Sequence, residues 1–154
     1  MPERIAVRVK RLPHASGLPL PSYATAAAAG ADVCAALDAD LIVRPGGRAA
    51  IPTGLCVELP HGYELQVRPR SGLALRDGVT LLNAPGTIDA DYRGEIKIVI
   101  INHGSGDVVL HRGDRIAQLV LAPVAAGTFE DVEGLTPTER GESGFGSTGT
   151  RSER

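Results

Sequence analysis

Hydrophobic and polar positions alternate with a period of two in several stretches of the chain, the mark of half-buried strands. Ile5, Val7 and Val9 alternate with Ala6, Arg8 and Lys10, and Tyr63, Leu65 and Val67 alternate with Glu64, Gln66 and Arg68. The run Leu55-Cys56-Val57-Glu58-Leu59 comes just before the second of these. Pro60-His61-Gly62 between them is turn-forming, so the pair predicts a β-hairpin. Pro45-Gly46-Gly47 and Gly104-Ser105-Gly106-Asp107 mark further turns. Many short strands divided by turn signals predict an all-β sandwich or jelly roll.

Three segments modify this picture. Ala24 to Ala36 is alanine-rich and favours helix by propensity. Gly30 interrupts it and its apolar residues form no helical stripe, so it predicts a loop entering a strand. Ile96-Lys97-Ile98-Val99-Ile100-Ile101 is apolar on both faces apart from Lys97. Two readings fit that pattern: a strand with one face at a subunit interface, or a central strand inside one thick core. From Arg140 to Gly149 a single aromatic, Phe145, lies among Gly, Ser and Thr, the composition of a flexible tail. Residues 1–137 are therefore expected to form one β domain, and 138–154 a Gly-rich arm.

A chain of 154 residues supports one domain and one core. With no Trp and two Phe, that core must rest on Val, Ile, Leu and Ala. The net charge of -2 argues against a general nucleic-acid binder but leaves room for a small anionic ligand, which needs only a few local cations and N–H groups. Cys34 and Cys56 stand outside any CxxC and have no His cluster beside them, so they read as small buried thiols and not as zinc ligands. The polar start Met-Pro-Glu-Arg leads straight into a strand pattern with no signal peptide or membrane span, so a cytoplasmic protein without a membrane partner is expected.

Five segments could carry chemistry. They are Ala29-Gly30-Ala31-Asp32-Val33, Arg68-Pro69-Arg70-Ser71-Gly72-Leu73, the polar stretch Asn83 to Gly94, Arg112-Gly113-Asp114-Arg115-Ile116-Ala117-Gln118-Leu119, and the Gly-rich tail. Singly, each has an ordinary explanation. Asp32 suits a turn, Arg70-Ser71-Gly72 a solvated strand end, Asp89 an exposed carboxylate, and Phe145 a docking anchor. The stretch from Asn83 to Gly94 reads as a tight hairpin entering the apolar strand. A cation, a hydroxyl and a glycine together suit a phosphate, because Arg forks its oxygens and Gly bares backbone N–H groups.

In this order and spacing, the five segments resemble the five motifs of the trimeric dUTPase family, from about Leu18 to Gly149. Val33 stands where Leu is common in the first motif. The resemblance implies a β jelly roll, a homotrimer with active sites between subunits, and a C-terminal arm that closes over a site. It implies hydrolysis of dUTP to dUMP and pyrophosphate, which supplies dUMP for dTTP synthesis and keeps uracil out of DNA. Asp89 would hold and activate the attacking water. Arg70, Ser71, Gly72 and Gln118 would contact the phosphates, joined from the tail by Arg140, Gly146, Ser147 and Thr148. Asn83, Thr87 and Ile88 would read uracil, and Tyr92 would pack under the deoxyribose. Phe145 would stack on the base, and Lys97 matches a position whose backbone contacts it. Magnesium (Mg2+) would ride on the triphosphate, with Asp32 reaching it through water.

Two rivals share part of this pattern. A dCTP deaminase has the same fold, but that family carries a catalytic Glu on the strand after the third motif, where this chain has Lys97, Ile98, Val99 and Ile100. Deaminases also tend to Arg-Ser-Ser in place of Arg-Ser-Gly. A catalytically silent nucleotide sensor has no need of a positioned base and a closing arm, which Asp89 and the tail would provide.

Overall fold

The computed structural model describes residues 4–147, and the alternating runs become strands. In chain order these are β1 (Arg8–Arg11), β2 (Ser22–Tyr23), β3 (Ala31–Cys34), β4 (Leu41–Val43), β5 (Arg48–Glu58) and β6 (Tyr63–Arg68). After helix α1 (Ser71–Asp77) come β7 (Val79–Leu81), β8 (Gly86–Ile88), β9 (Glu95–Asn102), β10 (Val108–Leu110) and β11 (Arg115–Pro123). One sheet has the order β1-β5-β9-β7, a second the order β2-β3-β11-β6-β8, and β10 pairs with β4 as a small third. All the strand pairs are antiparallel. The architecture is the all-β jelly roll that the alternation suggested.

The core lies between the two larger sheets. Val33, Ile51, Leu55, Val67, Ile98, Ile100 and Leu119 are buried there. Each fully buried branched side chain contributes about 1.5–3 kcal/mol, so an aliphatic core of this size holds without aromatics. The doubly apolar strand is now resolved. Ile96, Ile98 and Ile100 of β9 face the core, while Lys97, Val99 and Ile101 form the opposite face. The alanine-rich stretch is a loop that enters β3, as its missing stripe indicated.

Two expected hairpins are not hairpins. The turn at Pro60-His61-Gly62 joins β5, which pairs with β1 and β9, to β6, which pairs with β11 and β8. It is an arch between sheets. Leu55, Val57 and Leu59 before it and Leu65 and Val67 after it all belong to the single core. Between Asn83 and Gly94 the chain likewise changes sheets. β7 lies beside β9, β8 crosses to pair with β6, and the chain returns at Glu95. Turn residues fix a reversal; the burial on either side decides whether the arms pair or face each other.

The stretch after Pro69 is not a plain strand end either. Ser71 opens α1, whose capping residue Arg70 has extended backbone angles. Leu73, Ala74, Leu75 and Arg76 are good helix formers, but a run of seven residues is too short to show a periodic stripe. Beyond Pro123 no helix or strand follows among the described residues.

Candidate active site

A concavity is built where the chain changes sheets. A cleft of about 430 Å³ lies between the end of β8, the turn after it and the start of β9, with Val67 of β6 beneath. Asn83, Thr87, Ile88, Asp89, Tyr92 and Lys97 all line it, together with Gly86, Glu95 and Ile96. These six residues, singled out from one stretch of sequence, thus share one wall. Asp89 is exposed just past β8, and its carbonyl accepts the Tyr92 N–H at 3.1 Å, which tightens the turn. The Tyr92 hydroxyl donates to the Glu95 carbonyl at 3.1 Å, so the phenol is tied back to β9. Gly94 is required by that packing, because a Cβ there would run into the Tyr92 ring and hydroxyl.

Glu95 was not singled out in the sequence. Its carboxylate Oε1 takes the His14 Nε2 at 2.6 Å and the Gly54 N–H at 2.8 Å. Burial pushes the Glu95 pKa up, but the His14 hydrogen bond, the Gly54 N–H and the charges of His14 and Lys97 outweigh it and lower the value. Glu95 is therefore ionised at neutral pH.

A second cluster forms around Asp32, which is buried on β3. One of its oxygens meets Arg70 Nε at 3.1 Å and the other Arg115 Nη1 at 3.1 Å. Gln118 Nε2 reaches the first oxygen at 3.4 Å, a weak contact. Arg70 also donates to the Arg115 carbonyl at 3.0 Å. Asp32 thus gathers residues of two other segments, and its charge is met by two guanidinium groups. Beside them, Arg70, Arg76, Arg115, Asp77 and Asp114 help to line a hollow of about 340 Å³. Ser71 and Gly72 stand exposed at the first turn of α1, where backbone N–H groups have no partner within the helix. Nothing in the sequence around Arg115 marks it; its pairing with Asp32 is what brings it into the cluster. Burial raises the pKa of neighbouring Cys34, more than Arg115 and Arg70 lower it, so it stays a thiol.

The two clusters share no lining residue, and among the described residues no side-chain hydrogen bond or ion pair joins them. The tail residues join neither. Arg140 Nε donates to the nearby Ser143 carbonyl at 3.0 Å, Phe145 is fully exposed, and Gly146 and Ser147 form a turn. Thr148 lies outside the described residues. Among the described residues no group of three or more His, Cys, Asp or Glu is placed to cage a metal. The same residues include no helix long and apolar enough to cross a membrane.

Residues 17–149 match the dUTPase family model. The deoxyuridine 5'-triphosphate nucleotidohydrolase of Anaplasma marginale is 58% identical over 146 residues, covering 95% of this chain and 99% of the relative. The enzyme of the same name from Beijerinckia indica is 59% identical over 145 residues, covering 93% of this chain and 91% of the relative. Among solved structures, the Staphylococcus bacteriophage 80alpha dUTPase with dUPNHPP superposes with a TM-score of 0.85 at 28% identity, covering 94% of this chain and 99% of that one.

Proposed function

Because the chain belongs to the dUTPase family, whose model spans residues 17–149, we propose that it hydrolyses dUTP to dUMP and pyrophosphate by attack of water at the α-phosphorus. The observation that carries this reading is the single cleft in which Asn83, Thr87, Ile88, Asp89, Tyr92 and Lys97 meet. Incubation with dUTP and with dCTP tests it. Pyrophosphate from dUTP is expected; ammonia from dCTP, or no product from either, would contradict it.

The cleft suits a pyrimidine nucleoside. Uracil offers O4 and O2 as acceptors and N3–H as a donor, which the Asn83 amide and backbone groups near Thr87 and Ile88 can match. Cytosine presents the opposite pattern at two of these positions and would leave buried groups unpaired, a mismatch able to discriminate by about 10⁴. Tyr92, tied back through its hydroxyl to the Glu95 carbonyl, would fill the space beside C2′. Tyr92→Ala should therefore raise the rate on UTP relative to dUTP, read as the ratio of the two kcat/KM values. An unchanged ratio would mean that the sugar is selected elsewhere.

Asp89, exposed at the rim, would hold the attacking water in line with the α-phosphorus. The Asp32 cluster suits the phosphates. With Nε on Asp32 and Nη1 on the Arg115 carbonyl, Arg70 is held rigid and still presents its remaining edge. Ser71, the Gly72 N–H and Gln118 would add neutral donors. Asp32 is thus a positioning residue for Arg70 as well as a carboxylate that can reach a metal through water.

Asp32, the carboxylate of the cation cluster, would reach through water a magnesium ion carried by the triphosphate, since Mg2+ retains waters and favours phosphate oxygens over a protein cage. When bound, the ion would neutralise charge on the phosphates. Arg140, Gly146 and Ser147 of the arm would complete the phosphate shell, and Phe145 would stack on the uracil ring, worth about 1–3 kcal/mol. On this reading residues 138–154 act as a lid on the 1–137 domain, and the protein works in the cytoplasm to supply dUMP for dTTP synthesis and limit uracil in DNA.

The two clusters stand apart in one chain, which supports a homotrimer whose sites join the cleft of one subunit to the cation cluster of another. The outer face of β9 offers the surface: Val99 and Ile101 are half-exposed, opposite Ala50 of β5 and Thr80 of β7. Light scattering should report a trimer at micromolar concentration. Val99→Asp, which sets a charge in that apolar face, should shift the protein towards monomer. A wild-type monomer would contradict the assembly.

A further inference from the structure

We propose that His14, which does not line the cleft, is a positioning residue for nucleoside selection and acts through Glu95. The inference rests on the reading of the cleft as the base and sugar site. It begins with an irregularity in β5. The pairing of β5 with β9 shifts register between Pro52, opposite Lys97, and Cys56, opposite Glu95. Gly54 sits inside that interval at a φ of +64°, and a Cβ there would collide with Ala15. The strand is bulged to admit the 3₁₀ turn Pro13–Ala15, and Ala15 is completely buried against it.

The bulge leaves Gly54 outside the paired register, and Glu95 answers its N–H with a carboxylate oxygen at 2.8 Å. The same oxygen takes His14 Nε2 at 2.6 Å. His14 is anchored in turn, because Arg112 Nη1 donates to its carbonyl at 2.8 Å. Thr53 adds a parallel tie by donating its hydroxyl to the Ile96 carbonyl at 2.6 Å. The first residues of β9 are thus fastened to the bulge from two sides.

Those residues are the wall of the cleft. Glu95, Ile96 and Lys97 line it, and the Glu95 carbonyl receives the Tyr92 hydroxyl. The chain of contacts runs from His14 to the Glu95 carboxylate, through one residue to its carbonyl, and on to the ring that would border the sugar. Loss of the imidazole removes no cleft-lining group but leaves the Glu95 carboxylate held by the Gly54 N–H alone and loosens the seat of Tyr92. His14 and Glu95 make no side-chain contact with Asp89 or with the cations around Asp32 among the described residues.

The test compares His14→Asn, whose amide is too short to reach Glu95, with His14→Gln, whose Nε2 can donate in the imidazole's place. His14→Asn should raise KM for dUTP about tenfold, short of the roughly 10²-fold that a misplacement of ~1 Å can bring. Its kcat should stay within about twofold, a split that reports lost binding and not lost chemistry. The preference for dUTP over UTP should fall, and His14→Gln should restore both values. Should His14→Asn not fold, His14→Met, which fills much of the imidazole's space but has no donor for Glu95, carries the test with the same readings. A wild-type enzyme without preference for dUTP over UTP would overturn the reading of the cleft and this inference together. A wild-type preference retained undiminished in His14→Asn, or a loss of kcat at constant KM, overturns this inference alone.

Discussion

Asp89→Asn is expected to lower turnover of dUTP by about 10²–10⁴, the usual range for removing a general base, while the dissociation constant for dUTP stays nearly unchanged. The separation follows from the geometry. Asp89 stands exposed just past β8, whereas Arg70, Arg115 and Gln118 are organised around Asp32 on other elements. Asparagine keeps the size of the side chain and the turn in which the Asp89 carbonyl accepts the Tyr92 N–H. What would be lost is the charge proposed to align and activate the water. Single-turnover kinetics and calorimetric binding measured on the same preparation check both halves. Wild-type turnover in the variant would remove Asp89 from the mechanism.

Deleting everything after Glu139 is expected to leave a folded trimer that binds dUTP somewhat more weakly and hydrolyses it at least about tenfold more slowly, a barrier change of about 1.4 kcal/mol or more. The described tail contributes nothing to the core. No helix or strand lies beyond Pro123 among the described residues, and Phe145 is fully exposed. Folding should therefore survive the deletion. Ordering such an arm over a bound nucleotide costs about 1–2 kcal/mol per fixed residue, which offsets most of the contacts of Arg140 and Phe145 in net affinity. The benefit should appear in turnover, where a closed site excludes bulk water and stabilises developing charge. Full-rate hydrolysis by the truncated protein would show that the arm is no lid.

Where the sequence was legible, a local signal matched a local cause. The alternation in Ile5 to Lys10 and Tyr63 to Arg68 appears as burial that alternates along the chain. The clustering of Asn83, Thr87, Ile88, Asp89, Tyr92 and Lys97 followed because they lie within fifteen residues on one turn and its flanks. The failures were of partnership. Pro60-His61-Gly62 announces a reversal, but whether β5 and β6 pair or face each other depends on the whole core. The pairing of Asp32 with Arg115 spans 83 residues and that of His14 with Glu95 spans 81, and no periodicity encodes contacts at such separation. Helix α1 was hidden for the opposite reason, since seven residues are too few to display their own period.

The most direct measurement is hydrolysis of dUTP in water enriched in ¹⁸O, with the label located by mass spectrometry. Attack at the α-phosphorus predicts one ¹⁸O in each dUMP and none in the pyrophosphate. Label in the pyrophosphate would place the attack at the β-phosphorus and contradict the role given to the cleft and to Asp89.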